Sequence, residues 1–137
     1  MYAIEYQRAK SIADAAAALA RTGGKALAGG ALRCVAGKRR LANPGTVVDL
    51  SGIAELKGIK KDGDALVIGA LTTHAEVASS AVVKQAIPAL AALAEGIGDR
   101  QVRNRGTIGG SLANNDPAAD YPAGVLALNA TVLTNKR

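Results

Sequence analysis

The segment TIGGSLANNDPAAD, residues 107–120, constrains the fold more than any other part of the chain. It joins two adjacent glycines to small residues, two asparagines and two aspartates, so it offers much backbone and little side chain to a core. Adjacent glycines allow tight turns and let a ligand approach main-chain N–H groups, because no Cβ stands in the way. The segment LAGGAL, residues 27–32, has the same character. Both are candidate anion-binding loops, and the rest of the chain must supply the core.

The hydrophobic residues are mostly small. They make up 49% of 137 residues, enough for one domain or two small lobes, and most are Ala, Val, Leu or Ile. The sequence has no Trp or Phe, and its three tyrosines are Tyr2, Tyr6 and Tyr121. Because small side chains bury little apolar area, we expect a core of modest stability unless another surface covers it.

Cysteine content and charge exclude several classes of protein. Cys34 is the one cysteine in the sequence, which excludes an intrachain disulfide and a cysteine cluster for zinc or iron–sulfur. MYAIEYQRAK has no apolar signal segment and no run reaches the ~18 residues that span a bilayer, so we expect a cytoplasmic protein without a membrane span. The net charge of +6 favours an anionic ligand or acidic partner, whereas the near absence of base-stacking aromatics argues against nucleic acid.

Patterning in the first part of the chain predicts a small α+β lobe. YAIEYQ alternates as a strand, and Ser11-x-x-Asp14 has the form of a capping box that opens a helix. Gly23 and Gly24 end that helix. KALAGG and residues 46–50 are predicted as two further strands.

A second lobe follows. Two strand-like runs flank Asp62 and Gly63, which predicts a hairpin. Thr73-x-x-Glu76 is a second capping box, and Pro88 suits the first turn of another helix. We expect the boundary between the lobes at residues 51–58, giving lobes of residues 1–53 and 54–137.

The last third of the chain is less regular. GDRQVRNRG is polar and basic and is excluded from the core. Asp120 is predicted to cap a helix that has Pro122 in its first turn. ATVLTNKR is predicted as a strand with no successor to pair with, so the second lobe is expected to be incomplete.

The glycine loops match neither G-x-G-x-x-G nor G-x-x-x-x-G-K-[ST], which argues against a Rossmann or ATP-hydrolysing domain. A single glycine loop is most simply explained as a turn without a ligand. Two glycine loops on two lobes indicate a ligand with two phosphates.

The order of residues in IGALTTHAEV, RQVRNRGTIGGSLANNDPAADYP and LALNATV closely resembles the FAD-binding medium subunit of the molybdenum hydroxylases. That family includes carbon monoxide dehydrogenase, xanthine dehydrogenase and aldehyde oxidase-like enzymes. The resemblance runs from YQRAKSIADAAAALA to ATVLTNKR.

This resemblance implies an α+β fold, the two-lobed FAD-binding domain of the vanillyl-alcohol oxidase (PCMH) type. The second lobe would be incomplete and the family's C-terminal domain absent. FAD is the implied cofactor, with the molybdenum cofactor on a large partner subunit and [2Fe–2S] clusters on a small one, in a dimer of heterotrimers. The chain would pass electrons from the clusters to an external acceptor, and another subunit would hydroxylate the substrate.

The resemblance also implies which residues contact FAD, on two glycine loops that face each other across one cleft. It implies no catalytic residue and no metal ligand in this chain. The implied cofactor-binding residues are Ala28, Gly29, Gly30, Ala31 and Leu32 in the first loop, Thr107, Ile108, Gly109, Gly110, Ser111 and Asn114 in the second, and Ile97 and Asp120 near the cofactor. The bare backbone of the loops would then be the binding surface.

The first loop departs from the family's pattern. The family usually continues A-G-G-(Gln or His)-Ser-Leu, whereas Ala31 and Leu32 replace the two polar residues here. Each lost hydrogen bond to a charged group is worth about 1.5–3 kcal/mol. The alternative is therefore a subunit that keeps the family's fold and assembly surfaces but binds FAD weakly or not at all.

Three further groups of residues have either an undecided role or a structural role. Arg100, Arg103 and Arg105 belong either to a solvated loop or to a segment close to the cofactor or a partner subunit. His74, the sole histidine, follows a capping threonine and is interpreted as structural. Asp116 and Asp120 have no accompanying catalytic group, so a helix cap and an FAD contact are the preferred roles for Asp120.

Overall fold

The protein divides into two compact units, Met1–Glu55 and Leu56–Arg137. The structure is a computed structural model that describes residues 3–30 and 45–136. The predicted contacts Ala31 and Leu32 lie outside the described residues. That the two units are FAD-binding lobes, with the boundary after residue 53, stays a prediction.

The first unit is a three-stranded parallel sheet with one described helix. Its elements are β1 (Glu5–Arg8), α1 (Ile12–Thr22), β2 (Lys25–Leu27) and β3 (Thr46–Asp49). The strand order is β1-β3-β2, with Glu5 opposite Thr46 and Lys25 opposite Val47. Parallel strands are joined by crossover connections, and α1 lies in the connection from β1 to β2, the two strands that flank β3. The buried apolar residues of the unit are Ala9, Ala15, Ala18, Val48 and Ile53.

The predicted start and end of α1 are confirmed. The Ser11 hydroxyl accepts from the N–H of Asp14 at 3.1 Å, and Gly23 ends the helix in the left-handed region with φ +61°. The predicted capping box is wrong in its second half. The Asp14 carboxylate accepts from the N–H of Lys10 at 3.0 Å, one residue before the N-cap, because its side chain reaches past Ser11.

The second unit holds a hairpin and six helices within its described residues. Its elements are β4 (Ile59–Asp62), β5 (Ala65–Ile68), α2 (His74–Ser79), α3 (Ala81–Ala86), α4 (Pro88–Gly96), α5 (Arg100–Arg105), α6 (Ile108–Asn114) and α7 (Asp120–Ala127). A 3₁₀ turn at Ala54–Leu56 leads into it. Its core cluster is Val77, Val83, Leu90, Ala91, Ala94, Ile108 and Tyr121.

Local sequence signals account for the first half of this unit. The hairpin turns at Gly63, where φ is +57°, as Asp62-Gly63 predicts. The capping box that opens α2 is complete, since the Thr73 hydroxyl and the Glu76 carboxylate each bond the other's backbone N–H. Pro88 lies in the first turn of α4. These three predictions are confirmed.

The basic segment lies outside the core, as predicted, but it forms helix α5 and not a loop, because the Asp99 carboxylate caps it through the N–H of Val102 at 2.8 Å. The predictions for Asp120 and for the last residues are wrong. Asp120 is the first residue of α7 and not its cap, since the N-cap is Ala119 and it makes no side-chain bond. Residues 130–136 form no strand, because no described segment pairs with them.

The described residues include no helix long and apolar enough to cross a membrane.

Candidate functional site

The segment TIGGSLAN is a helix and not the loop that its glycines suggested. Thr107 is the N-cap of α6, and its hydroxyl accepts from the N–H of Gly110 at 3.1 Å. The helix ends at Asn115 in the left-handed region, with φ +48°. Two adjacent glycines weaken a helix by about 1 kcal/mol each relative to alanine, so tertiary contacts must hold α6 in place.

Those contacts are made by the backbone N–H groups at the start of α6. The N–H of Ile108 donates to the carbonyl of Thr72 at 3.0 Å, and that of Gly109 donates to Ala70 at 2.9 Å. The N–H of Ser111 bonds the carbonyl of Thr107 within the helix. The donors that we expected to be free for phosphate are therefore already paired inside the chain.

Gly109 is glycine because α6 packs directly on the segment before α2. A Cβ at this position would lie 2.5 Å from the Cβ of Ala70 and 2.7 Å from its carbonyl oxygen. Both distances are well below van der Waals contact. The absence of a side chain at Gly109 thus serves helix packing, and its contact with a cofactor stays a prediction.

Polar side chains remain available on α6 and α7. The hydroxyl of Ser111, the amide of Asn114 and the carboxylate of Asp120 form no hydrogen bond or ion pair with the rest of the described chain. Ser111 is half-buried, and Asn114 and Asp120 are exposed. Because α6 contacts α7, these groups belong to one region of the second unit. They offer both donors and acceptors to a ligand.

A groove of about 540 Å³ lies beside Asp120, between α4 and α7. Its other lining residues include Leu93, Gly96, Pro117 and Ala119, so small and apolar side chains face Asp120. The groove is open to solvent, so it offers a contact surface with one carboxylate and not an enclosed pocket.

The first glycine segment follows the carboxyl end of an edge strand. β2 ends at Leu27, whose carbonyl accepts from the N–H of Leu50 at 2.9 Å, and the chain bends at residues 28–29. Gly30 has φ +76°, a conformation that favours glycine. Ligands of parallel sheets bind beyond the carboxyl ends of the strands, so Ala28, Gly29 and Gly30 stand where such a ligand would be met.

Ile97 and Arg103 are fixed by the end of α4. Ile97 is half-buried against the core of the second unit. One guanidinium nitrogen of Arg103 donates to the carbonyls of Ile97 at 3.3 Å and Gly98 at 2.7 Å. Arg103 therefore stabilises the helix terminus, where a positive charge is favourable.

Sequence reasoning missed a polar cluster at the carboxyl end of β3. The buried Asp49 carboxylate accepts hydrogen bonds from the hydroxyls of Tyr6 and Ser51 and from the N–H of Ser51. Arg8 lies 4.0 Å away. Burial alone would raise the pKa of Asp49, but these hydrogen bonds and the Arg8 charge outweigh it and hold the pKa below 3.8. The one signal in the sequence is an aspartate that closes an apolar strand.

The predicted site residues thus fall into two groups. Thr107–Ser111, Asn114, Asp120 and Ile97 belong to the second unit, where α4, α6 and α7 carry them. Ala28, Gly29 and Gly30 belong to the first. Ile108 and Thr107 are themselves buried, so their contribution to a ligand would be limited to few atoms.

Comparison with known proteins identifies the family. A family model described as the FAD binding domain in molybdopterin dehydrogenase matches residues 2–137. The carbon monoxide dehydrogenase medium chain of Hydrogenophaga pseudoflava is 43% identical over 128 residues, covering 92% of this chain and 45% of that protein. The glyceraldehyde dehydrogenase medium chain of Sulfolobus acidocaldarius is 38% identical over 129 residues, covering 93% and 46%.

Solved structures agree with this result. Carbon monoxide dehydrogenase from Hydrogenophaga pseudoflava superposes with a TM-score of 0.90 at 43% identity, covering 92% of this chain and 45% of that one. Quinoline 2-oxidoreductase from Pseudomonas putida 86 gives 0.84 at 32% identity, covering 88% and 43%. The chain therefore spans less than half the length of the relatives that it matches. The predicted fold class is confirmed.

Proposed function

Because the chain belongs to the family of FAD-binding domains in molybdopterin dehydrogenases, we propose that it binds FAD in the medium subunit of a molybdenum-containing hydroxylase. The observation that carries the proposal is the match of that family's model to residues 2–137. Bound FAD would supply electron transfer, receiving electrons from [2Fe–2S] clusters and passing them to an external acceptor. This chain would hold and orient the cofactor, and substrate hydroxylation would occur on another subunit.

The free side chains fit FAD in two chemically distinct ways. The hydroxyl of Ser111 and the amide of Asn114 can donate to phosphate oxygens, as can the main-chain N–H groups of Ala28 and Gly30. The carboxylate of Asp120 is acceptor-only, so it suits the ribityl hydroxyls or the ring N–H of FAD and not the phosphates. We assign Ile97 and the small-residue groove beside Asp120 to apolar contact with the cofactor. Thr107, Ile108, Gly109 and Gly110 support the site by fixing the start of α6.

The partners form the finer part of the proposal. We propose a large subunit with the molybdenum cofactor and a small subunit with [2Fe–2S] clusters, assembled as a dimer of heterotrimers. The named relatives are medium chains of carbon monoxide and glyceraldehyde dehydrogenases, which supports a multi-subunit oxidoreductase. We place the complex in the cytoplasm, in keeping with a sequence that has no second cysteine for an intrachain disulfide.

Asp120 provides the sharpest test of the site. Asp120→Asn keeps the size of the side chain but removes its charge, and we expect FAD to bind about 10- to 100-fold more weakly, since a hydrogen bond to a charged group is lost. Affinity is measured by quenching of flavin fluorescence on titration into the deflavinated protein. Asp64→Asn, at the exposed hairpin turn of the same unit, is the matched control and should leave the affinity unchanged. Equal affinities for both variants would remove Asp120 from the site.

One observation favours the alternative, an assembly subunit of the same fold with weak or lost FAD binding. The N–H groups of Ile108, Gly109 and Gly110 already have acceptors within the chain, and Ala31 and Leu32 replace the family's polar residues. A protein that assembles with its partners but takes up no FAD, even on reconstitution, would favour this alternative.

A further inference from the structure

Two polar atoms in the core of the second unit have no hydrogen-bond partner among the described residues. They are Nδ1 of His74 and the hydroxyl oxygen of Tyr121. His74 is 5% exposed and Tyr121 is fully buried. Their ring centroids are 5.3 Å apart and the ring planes are inclined by 39°. The two unpaired atoms therefore belong to neighbouring side chains in one buried place.

Such a pair is costly unless something satisfies it. A buried donor or acceptor without a partner loses its hydration with nothing in return, a loss that is large beside the small net stability of a domain. For this reason nearly all buried polar groups in folded proteins bond to protein atoms or to ordered water. The two atoms here also complement each other, since a tyrosine hydroxyl donates and a neutral imidazole nitrogen accepts.

The surroundings of His74 hold its ring in place and keep it neutral. A Cβ on Gly106 would lie 2.5 Å from Nε2 and 2.7 Å from Cδ2, so the glycine provides the space for that edge of the ring. The backbone N–H of His74 donates to the carbonyl of Gly106 at 3.0 Å. Burial lowers the pKa of the imidazole below 6.5. A neutral imidazole has one donor and one acceptor nitrogen, and Nδ1 is the buried nitrogen that has no partner among the described residues.

We infer that His74 and Tyr121 enclose an internal water site, in which one water accepts from the Tyr121 hydroxyl and donates to Nδ1 of His74. Water is the ligand of the right chemistry because both groups are neutral and one molecule satisfies both of them. The proton of the imidazole is then on Nε2. The site joins the first residue of α2 to the second residue of α7.

This bond has a structural consequence at α7. That helix begins at Ala119 without a side-chain cap, so its first turn depends on packing and on the anchoring of Tyr121. Tyr121 directly follows Asp120. The water therefore stabilises the turn that carries the Asp120 carboxylate, whether or not that carboxylate contacts FAD.

The experiment uses the complete protein with any partners with which it is isolated. Tyr121→Phe keeps the ring and removes the hydroxyl, and amide hydrogen exchange is followed by mass spectrometry in peptides that contain α2 and α7. If water bridges the pair, the amides of both helices should exchange about 3- to 10-fold faster, because Nδ1 and the water each lose a partner. Exchange that is unchanged or slower would overturn the inference, since removing a truly orphaned hydroxyl relieves strain.

Two further measurements keep the inference falsifiable. In a His74→Leu background, Tyr121→Phe should no longer accelerate exchange, because the acceptor has already gone; full additivity of the two changes would contradict a shared water. Tyr6→Phe, whose hydroxyl bonds Asp49 in the first unit, is the control and should leave α7 unaffected. If Tyr121→Phe fails to fold, density for the unsubstituted protein decides. An ordered water within about 3.2 Å of both atoms supports the site, and a dry contact overturns it.

Discussion

At the scale of single residues, Asp49 shows how one carboxylate joins two strands of the parallel sheet. It ends the central strand β3, and it accepts the hydroxyl of Tyr6 from the neighbouring strand β1. Ser51 adds two further hydrogen bonds. A buried carboxylate is tolerated at this position because its oxygens are satisfied and Arg8 is close to it.

This cluster predicts acid sensitivity of the first unit. The pKa of Asp49 is lower in the folded protein than its ordinary 3.8, so its contribution to stability is present above that value and is lost as the pH falls through the folded pKa. Asp49→Asn should be less stable than the unsubstituted protein at neutral pH and should lose less stability on acidification. Urea-unfolding midpoints measured between about pH 6 and about pH 3 check this. Parallel curves for the two proteins would contradict it.

At the scale of elements, α6 depends on a close approach of two backbones. Gly109 donates to Ala70 and leaves no room for a Cβ, which accounts for a helix that begins with two poor helix formers. The start of the helix is fixed by Thr107. Its hydroxyl accepts from the N–H of Gly110, and its carbonyl accepts from the N–H of Ser111. Packing overrides intrinsic propensity here.

Gly109→Val should therefore destabilise the fold before it affects any ligand. Forcing extra methyl groups against Ala70 costs about 1–3 kcal/mol, and a branched side chain adds steric restriction within the helix. The measurement is chemical unfolding of the deflavinated protein. Gly96→Ala is the matched control, because a Cβ at Gly96 meets nothing within 4 Å and alanine should be neutral or stabilising. A Gly109→Val protein of normal stability that has lost only FAD would show that this glycine serves the cofactor directly.

Local signals predicted the elements that local interactions determine. Ser11, Thr73 and Gly63 act through groups within a few residues, so their roles follow from the sequence. Helix α5 was missed because RQVRNR has no apolar stripe, although Asp99 before it is a capping residue. The hydrogen bond from Gly109 to Ala70 joins positions far apart in the sequence, and no short pattern encodes it.

The sequence predicted which segments carry the candidate site, but not how their backbone groups are used. The residue types and their order identified the family, and with it the segments that carry the site. The use of the glycine N–H groups within the chain could not be predicted, because it depends on how α6 packs on the segment before α2. The sequence also could not show that the Asp120 carboxylate makes no hydrogen bond at the start of α7. This depends on the backbone geometry, which places Ala119 and not Asp120 at the N-cap.

At the scale of the whole molecule, apolar side chains near the end of the described chain face outward. Leu126 is 82% exposed, Val132 57% and Leu133 84%. All three lie within residues 126–133, so this short segment exposes several large apolar side chains. The relatives that the chain matches are more than twice as long.

Residues 1–137 produced alone should accordingly associate through this segment. Leu126→Lys together with Leu133→Lys should reduce light scattering and binding of an apolar dye, because both positions lose apolar surface without disturbing the core. In the complex with the proposed partner subunits, the same pair of changes should instead weaken assembly or lower the melting temperature. If the double variant of residues 1–137 associates as strongly as the unsubstituted chain, another surface is responsible.

The central claim is that this chain binds FAD, and the visible absorbance spectrum of the purified protein tests it most directly. The protein should be isolated with the yellow absorbance of bound flavin, and denaturation should release FAD in a ratio approaching one per chain. Adding FAD to the deflavinated protein should raise its melting temperature, since a ligand that binds only the folded form stabilises it. A colourless protein that releases no flavin, and whose melting temperature does not respond to added FAD in the presence of its partners, would contradict the account.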